Sequence, residues 1–236
     1  MKVLVIIIML IPVITKAQLY AELEIGIIND PDGFTYIRNG QELKASVIDT
    51  LHDGEFFQFV PNDSTDWLEV YKMWNVKGFV HKSRIKNIKN LQKPKQKALI
   101  DSVFSKELKL HIDYFSESKK RQAKASKFHE EKFSPVLNLF IYYMNRSYDE
   151  MLMSEFFNIL IVESGSADEL PSWTLGYIYM SNPKEVIDLV RKYDKELINS
   201  HLEFGFVNVT YGRKDEIENF EYLEKQIEEI TTANKK

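Results

Sequence analysis

The side chains able to do acid–base, nucleophilic or metal chemistry are few and scattered in this chain. There is no cysteine among its 236 residues. That removes thiolate nucleophiles, disulfides, cysteine-rich zinc sites and lipid attachment through an N-terminal cysteine. The five histidines are His52, His81, His111, His129 and His201. His129-Glu130-Glu131 begins like a zinc-protease helix but has no second histidine at the fourth position. His111-Ile112-Asp113 places its donors on different helix faces. No glycine-flanked serine elbow, phosphate loop or dinucleotide fingerprint is present. Carboxylate pairs such as Asp168-Glu169 and Glu228-Glu229 read as a helix end and a solvated face rather than glycosidase acids. No catalytic residue, metal site or cofactor is assigned.

Binding chemistry has better candidates. Lys119, Lys120 and Arg121, with Lys124 and Lys127 continuing at helical spacing, could receive an anion or be a solvated lysine face. Tyr36 and Arg38 lie beside a turn-rich loop, where a ring and a guanidinium could pair stacking with carboxylate binding. Trp74, in Met73-Trp74-Asn75-Val76, falls where a hairpin tip is expected. It suits contact with a ligand or with the rest of the chain.

The elements that must position these residues change character along the chain. Runs at Leu23–Ile28, Phe34–Arg38, Val47–Leu51, Glu55–Val60, Trp67–Lys72 and Lys77–His81 are short and β-rich, with apolar–polar alternation clearest in Phe57-Gln58-Phe59-Val60 and Trp67-Leu68-Glu69-Val70-Tyr71. Asn29-Asp30-Pro31-Asp32-Gly33, Asn39-Gly40, His52-Asp53-Gly54 and Pro61-Asn62-Asp63-Ser64 separate them. Such clusters supply turn conformations, and short evenly spaced strands predict a small barrel. Residues 89–97 read as a basic linker. Beyond it the period becomes that of helices, with faces at Leu99, Val103, Leu108 and Ile112, and at Phe133, Val136, Leu137, Phe140, Ile141 and Met144. Further faces follow around Met151–Leu160, Leu170–Met180, Val186–Val190 and Phe220–Ile230. Ser134-Pro135 and Asn182-Pro183 read as helix starts. Leu197–Val209 is ambiguous between helix and strand.

The fold class expected is α+β, a small N-terminal β-barrel over residues 22–88 followed by an all-α bundle or short helical solenoid over 98–236. Charge divides along similar lines. Residues 18–81 carry 4 basic and 11 acidic side chains, 82–132 carry 15 and 6, and 133–236 carry 10 and 18. The basic middle is open to an anionic polymer or a membrane surface, or to holding the acidic ends together.

Met1-Lys2, the apolar run Val3–Val13 and Ala17 have the layout of a secretory signal over residues 1–17, too short to span a bilayer. The expected location is periplasmic or secreted, with no membrane span after cleavage and no nucleic-acid partner. A retained anchor is the alternative.

Asp30-Pro31-Asp32-Gly33-Phe34-Thr35-Tyr36-Ile37-Arg38 resembles the opening of bacterial SH3 domains. Val47-Ile48, Asp53-Gly54-Glu55, Asp66-Trp67-Leu68-Glu69-Val70 and Gly78-Phe79-Val80-His81-Lys82-Ser83-Arg84-Ile85 follow in that family's order. The resemblance covers about 65 residues. Tyr36 stands where the family usually has Asn. It implies a non-catalytic binding or tethering module on an exported protein, with a peptide, a peptidoglycan fragment or an envelope protein as partner. Two other readings stay open. One is a cell-envelope hydrolase with its site among helical carboxylates or His111 and His129, and the other is an inhibitor or immunity protein for a secreted toxin.

Overall fold

The computed structural model describes residues 23–72, 76–162, 168–193 and 196–233. The expected leader at 1–17 and the candidate Trp74 lie outside the described residues. The fold is α+β, an antiparallel sheet followed by helices.

The strands are β1 (Glu24–Ile28), β2 (Phe34–Arg38), β3 (Val47–His52), β4 (Phe57–Phe59), β5 (Trp67–Lys72), β6 (Val76–His81) and β7 (Ile85–Asn87). Their order across the sheet is β3-β2-β6-β5-β4-β1-β7. The sheet is open, with β3 and β7 as its edges. β7 carries too short a pattern to be read in advance. Alternation decides what each strand buries: Phe57 and Phe59, Leu68 and Val70, and Val80 point to one side. With Ile28, Ile37 and Leu51 they form a core of the sheet's own. Gly78 is required there, because a Cβ on it would meet the Arg38 carbonyl oxygen at 2.5 Å.

The resembling segments meet in space. Arg84 Nη1 lies 2.8 Å from Asp30 Oδ2, and the Asn29 N–H donates to the Arg84 carbonyl. His81 caps the short 3-10 turn Lys82–Arg84 by accepting from the Ser83 N–H. Trp67 is half-buried and packs edge-on against His81.

Residues 89–97, expected as a linker, are structured. A 3-10 turn at Ile88–Asn90 leads into helix α1 (Lys93–Tyr114), and buried Gln96 donates to the Lys89 carbonyl. The buried stripe of α1 is Ile100, Val103, Phe104, Glu107 and Leu110. Leu99 and Leu108 are only half-buried, and Ile112 is exposed. The expected face is therefore rotated, because buried Glu107 belongs to the inner stripe and apolar periodicity alone does not register it.

Helix α2 (Lys119–Phe128) runs through a π-helical turn (His129–Phe133) directly into α3 (Ser134–Arg146). Ser134 is therefore not a helix start. It has φ −55° and ψ −46°, and its N–H reaches back to His129. Pro135 has no N–H to give, and its ring crowds the carbonyl one turn earlier. The wider π turn lies just ahead of it and makes room.

Helices α4 (Glu150–Val162), α5 (Leu170–Ser181), α6 (Pro183–Tyr193), α7 (Glu196–Thr210) and α8 (Phe220–Ala233) complete the fold. The ambiguous Leu197–Val209 stretch is thus helical. Helix α5 is buried on most sides against α3, α6 and α7. Its approach to α7 is set by glycine: a Cβ on Gly205 would stand 1.9 Å from the Ser172 carbonyl oxygen. A second core, built mainly from the helices, also takes in Ile25, Phe56 and Ile88 from the sheet region.

Candidate functional site

Because β2 alternates, Phe34, Tyr36 and Arg38 share the face opposite buried Ile37. The antiparallel register sets His52, Thr50 and Val47 of β3 beside them. A bulge between Ile37 and Arg38 shifts the register, so Val47 and Ile48 both emerge at the strand's start. Tyr36 is 42% exposed, edge-on to Phe34 at 5.4 Å between ring centroids. The Arg38 guanidinium carbon lies 5.6 Å from the Tyr36 ring centre. Arg38 Nη1 donates to the Ala45 carbonyl at 2.8 Å and so ties down the β2–β3 loop. The structure therefore brings Tyr36 and Arg38 together, with part of the guanidinium already committed to the fold.

The neighbouring edge of β3 is guarded. Its outward Thr50 carbonyl accepts from Lys72 Nζ at 2.6 Å, and the His52 N–H donates to Glu55 Oε2 at 2.9 Å. The Thr50 N–H is taken by Asp49 Oδ1. Lys72 is held by Glu55 at 3.2 Å and Asp49 at 3.7 Å. An edge whose backbone groups are spent on side chains is a poor template for another strand. The exposed apolar surface lies at the unguarded start of β3, beside Tyr36, where Val47 and Ile48 stand with Leu43 of the preceding loop.

The five basic residues singled out at 119–127 all lie on α2, exposed. Lys127 pairs with Glu131 at 3.7 Å. They are far in sequence and element from the Tyr36 surface, and nothing joins the two groups into one site.

Two polar centres inside the helices join residues that the sequence offers only singly, His129 and Asp168 among them. His129, on the π turn, stands between Glu107 Oε1 at Nδ1 and Asp168 Oδ2 at Nε2, both at 2.7 Å. Each ring nitrogen of His129 therefore has a carboxyl group as its hydrogen-bond partner. The Tyr114 hydroxyl adds a bond to Glu107 at 2.6 Å. Burial pushes the Asp168 carboxyl up, but bonds from His129 and the Leu170 N–H outweigh it and leave it below its ordinary value. Glu107 is 1% exposed, so this arrangement staples α1 to the π turn and the start of α5. Partners 22 and 39 residues from His129 leave no local signal.

The second centre is Ser172 Oγ and His201 Nδ1, 2.7 Å apart. By residue type it resembles a nucleophile and its base. Burial lowers the His201 imidazole against an opposing backbone bond at Leu160, which favours its neutral form. Ser172 is buried in the crossing of α5 and α7, with Gly205 seated on its carbonyl, so the bond locks two helices.

Among the described residues, no group of three His, Asp or Glu is placed to hold a metal ion, and no helix is long and apolar enough to cross a membrane. Comparison with protein-family models, curated proteins and solved structures gives no match.

Proposed function

We propose that this chain is a non-catalytic, exported binding protein of the cell envelope. In this reading its sheet is an SH3-like, incompletely closed barrel that takes a peptide, a peptidoglycan fragment or a partner protein. The barrel reading is supported by the sheet's own core and by Lys72, which reaches from β5 to the β3 edge where backbone pairing stops. The Arg84–Asp30 pair, which ties the first turn to the Ser83-Arg84-Ile85 segment, supports the bacterial SH3 resemblance.

The observation that carries the binding reading is the exposed Tyr36 ring beside Arg38, with Val47 and Ile48 uncovered next to it. A ring with a hydroxyl handle, a cation and adjoining apolar surface suit an extended chain bearing a carboxylate. The helical part then serves as scaffold, since its two polar centres bind helix to helix.

The test is binding of residues 18–236 to soluble peptidoglycan fragments and to envelope extract. Saturable binding is expected, weakened about tenfold by Tyr36→Ala, the scale of one well-packed aromatic contact. Absence of any enriched ligand, or binding indifferent to Tyr36, sinks the reading.

A further inference from the structure

Helix α1 ends at Tyr114, the chain turns through Phe115–Ser118, and α2 begins at Lys119. The end of the first helix and the start of the second therefore form one tip. Its inner side is packed: the Tyr114 hydroxyl, bonded to Glu107, lies 3.3 Å from the Ala125 carbonyl oxygen, and Ala125 is the one buried residue of α2. Its outer side is not. Ile112, one helical turn beyond half-buried Leu108 on α1, is 76% exposed, and Phe115, the first residue past the helix, is 77% exposed. Lys109, Lys119, Lys120, Arg121 and Lys124 surround this tip, all exposed, against Asp113 and Glu117.

The placement of the cations is costly to the fold. Lys119, Lys120 and Arg121 fill the first turn of α2, where the helix dipole favours acids, and no acidic residue stands there. The Ser118 side chain makes no capping bond that would compensate. A local rule broken without a structural return marks a place shaped by something outside the fold.

We propose that this tip docks on an anionic lipid bilayer. Charge complementarity names the occupant: the cations of the α2 start face headgroup phosphates. Phe115 and Ile112 decide between a bilayer and a soluble polyanion. A dissolved polymer would use the cations and leave two large apolar side chains in water, whereas a bilayer takes both at its headgroup boundary. The contact is peripheral, and it does not depend on the ligand of the Tyr36 surface.

The test is vesicle co-sedimentation of residues 18–236, a span holding every residue of both cores and lacking the apolar run Val3–Val13, which would insert by itself. Vesicles of phosphatidylglycerol are expected to bind the protein, those of phosphatidylcholine alone not to, and about 0.5 M salt to release it. Neutralising three cations (Lys119→Gln, Lys120→Gln, Arg121→Gln) is expected to weaken binding about 100-fold, at about fivefold per cation. Ile112→Ala with Phe115→Ala is expected to weaken it at least about tenfold with the cations intact. These side chains are exposed, so circular dichroism should be unchanged. No binding to anionic vesicles overturns the proposal. So does binding to soluble polyphosphate or nucleic acid that competes fully with vesicles and ignores the double alanine variant, which makes the tip a site for dissolved polyanions.

Discussion

Glu155 on α4 shows how one side chain sets a pH response. Burial, followed by a hydrogen-bonded neighbouring carboxyl at Asp101, pushes its carboxyl up to about 7. Its Oε2 is buried with no hydrogen-bond partner among the described residues. The folded chain thus holds this proton more tightly than the unfolded chain, whose carboxyl titrates near its ordinary 4.5. The stabilisation is complete below 4.5 and is lost as pH rises through 7. Nearby, Lys97 and Asp149 form an ion pair of opposite sense, in which Lys97 and the Leu152 N–H outweigh burial and hold Asp149 below its ordinary value. Glu155→Gln keeps the shape and removes the titration. Its melting temperature is expected to stay flatter than that of the parent between pH 5 and pH 8, so that the variant gains relative stability at the upper end. Parallel melting curves across that range would show that Glu155 ionises without cost.

Among the elements, the crossing of α5 and α7 has the least tolerance. Gly205→Ala places a methyl into the Ser172 carbonyl at 1.9 Å, a contact with backbone that no rotamer relieves. A loss of about 3 kcal/mol in urea unfolding is expected. Gly40→Ala, whose Cβ would meet only the Ala45 side chain at 3.3 Å, should cost less than about 1 kcal/mol. The same crossing shows where sequence reading succeeds and stops. Asn182-Pro183 announces the start of α6, and Val186, Ile187, Leu189 and Val190 bury as their spacing requires. Phe204-Gly205-Phe206 reads as strand as readily as helix, because its glycine is needed by a partner helix about thirty residues away. The strands of the sheet are legible from alternation and turns, to within one or two residues at most ends. Of the candidate surface, Tyr36 and Arg38 are visible through their loop. Val47 and Ile48 emerge through a bulge, and the guard on β3 comes from Lys72 on another strand. Contacts of that range have no period to detect.

For the whole molecule, the decisive fact is that the two cores are not divided at the sheet's boundary. Ile25, Phe56 and Ile88 bury with the helices, and Lys132 of the π turn lies over the Phe56 ring at 4.9 Å. Burial lowers the Lys132 amine, with Glu55 opposing the shift. The sheet and the helices should therefore melt together. A single calorimetric transition is expected for residues 18–236, and Phe56→Ala should lower it as a whole by about 3 kcal/mol. Two resolved transitions, only one of them moved by Phe56→Ala, would show the parts to be energetically separate.

The π turn at His129–Phe133 has one more consequence. One extra residue in a helical turn advances every later side chain by about 100° while the rod itself continues. The stretch from Lys119 to Arg146 thus works as a vernier, with the basic tip at one end and the core stripe of Phe133, Val136, Leu137 and Phe140 at the other set at independent angles. Tightening this turn to a regular α-turn with every residue kept would rotate the outer end by about that angle against the core, whereas deleting the one extra residue would leave both ends facing much as they do. The direction in which the tip faces is therefore written in the width of a single helical turn.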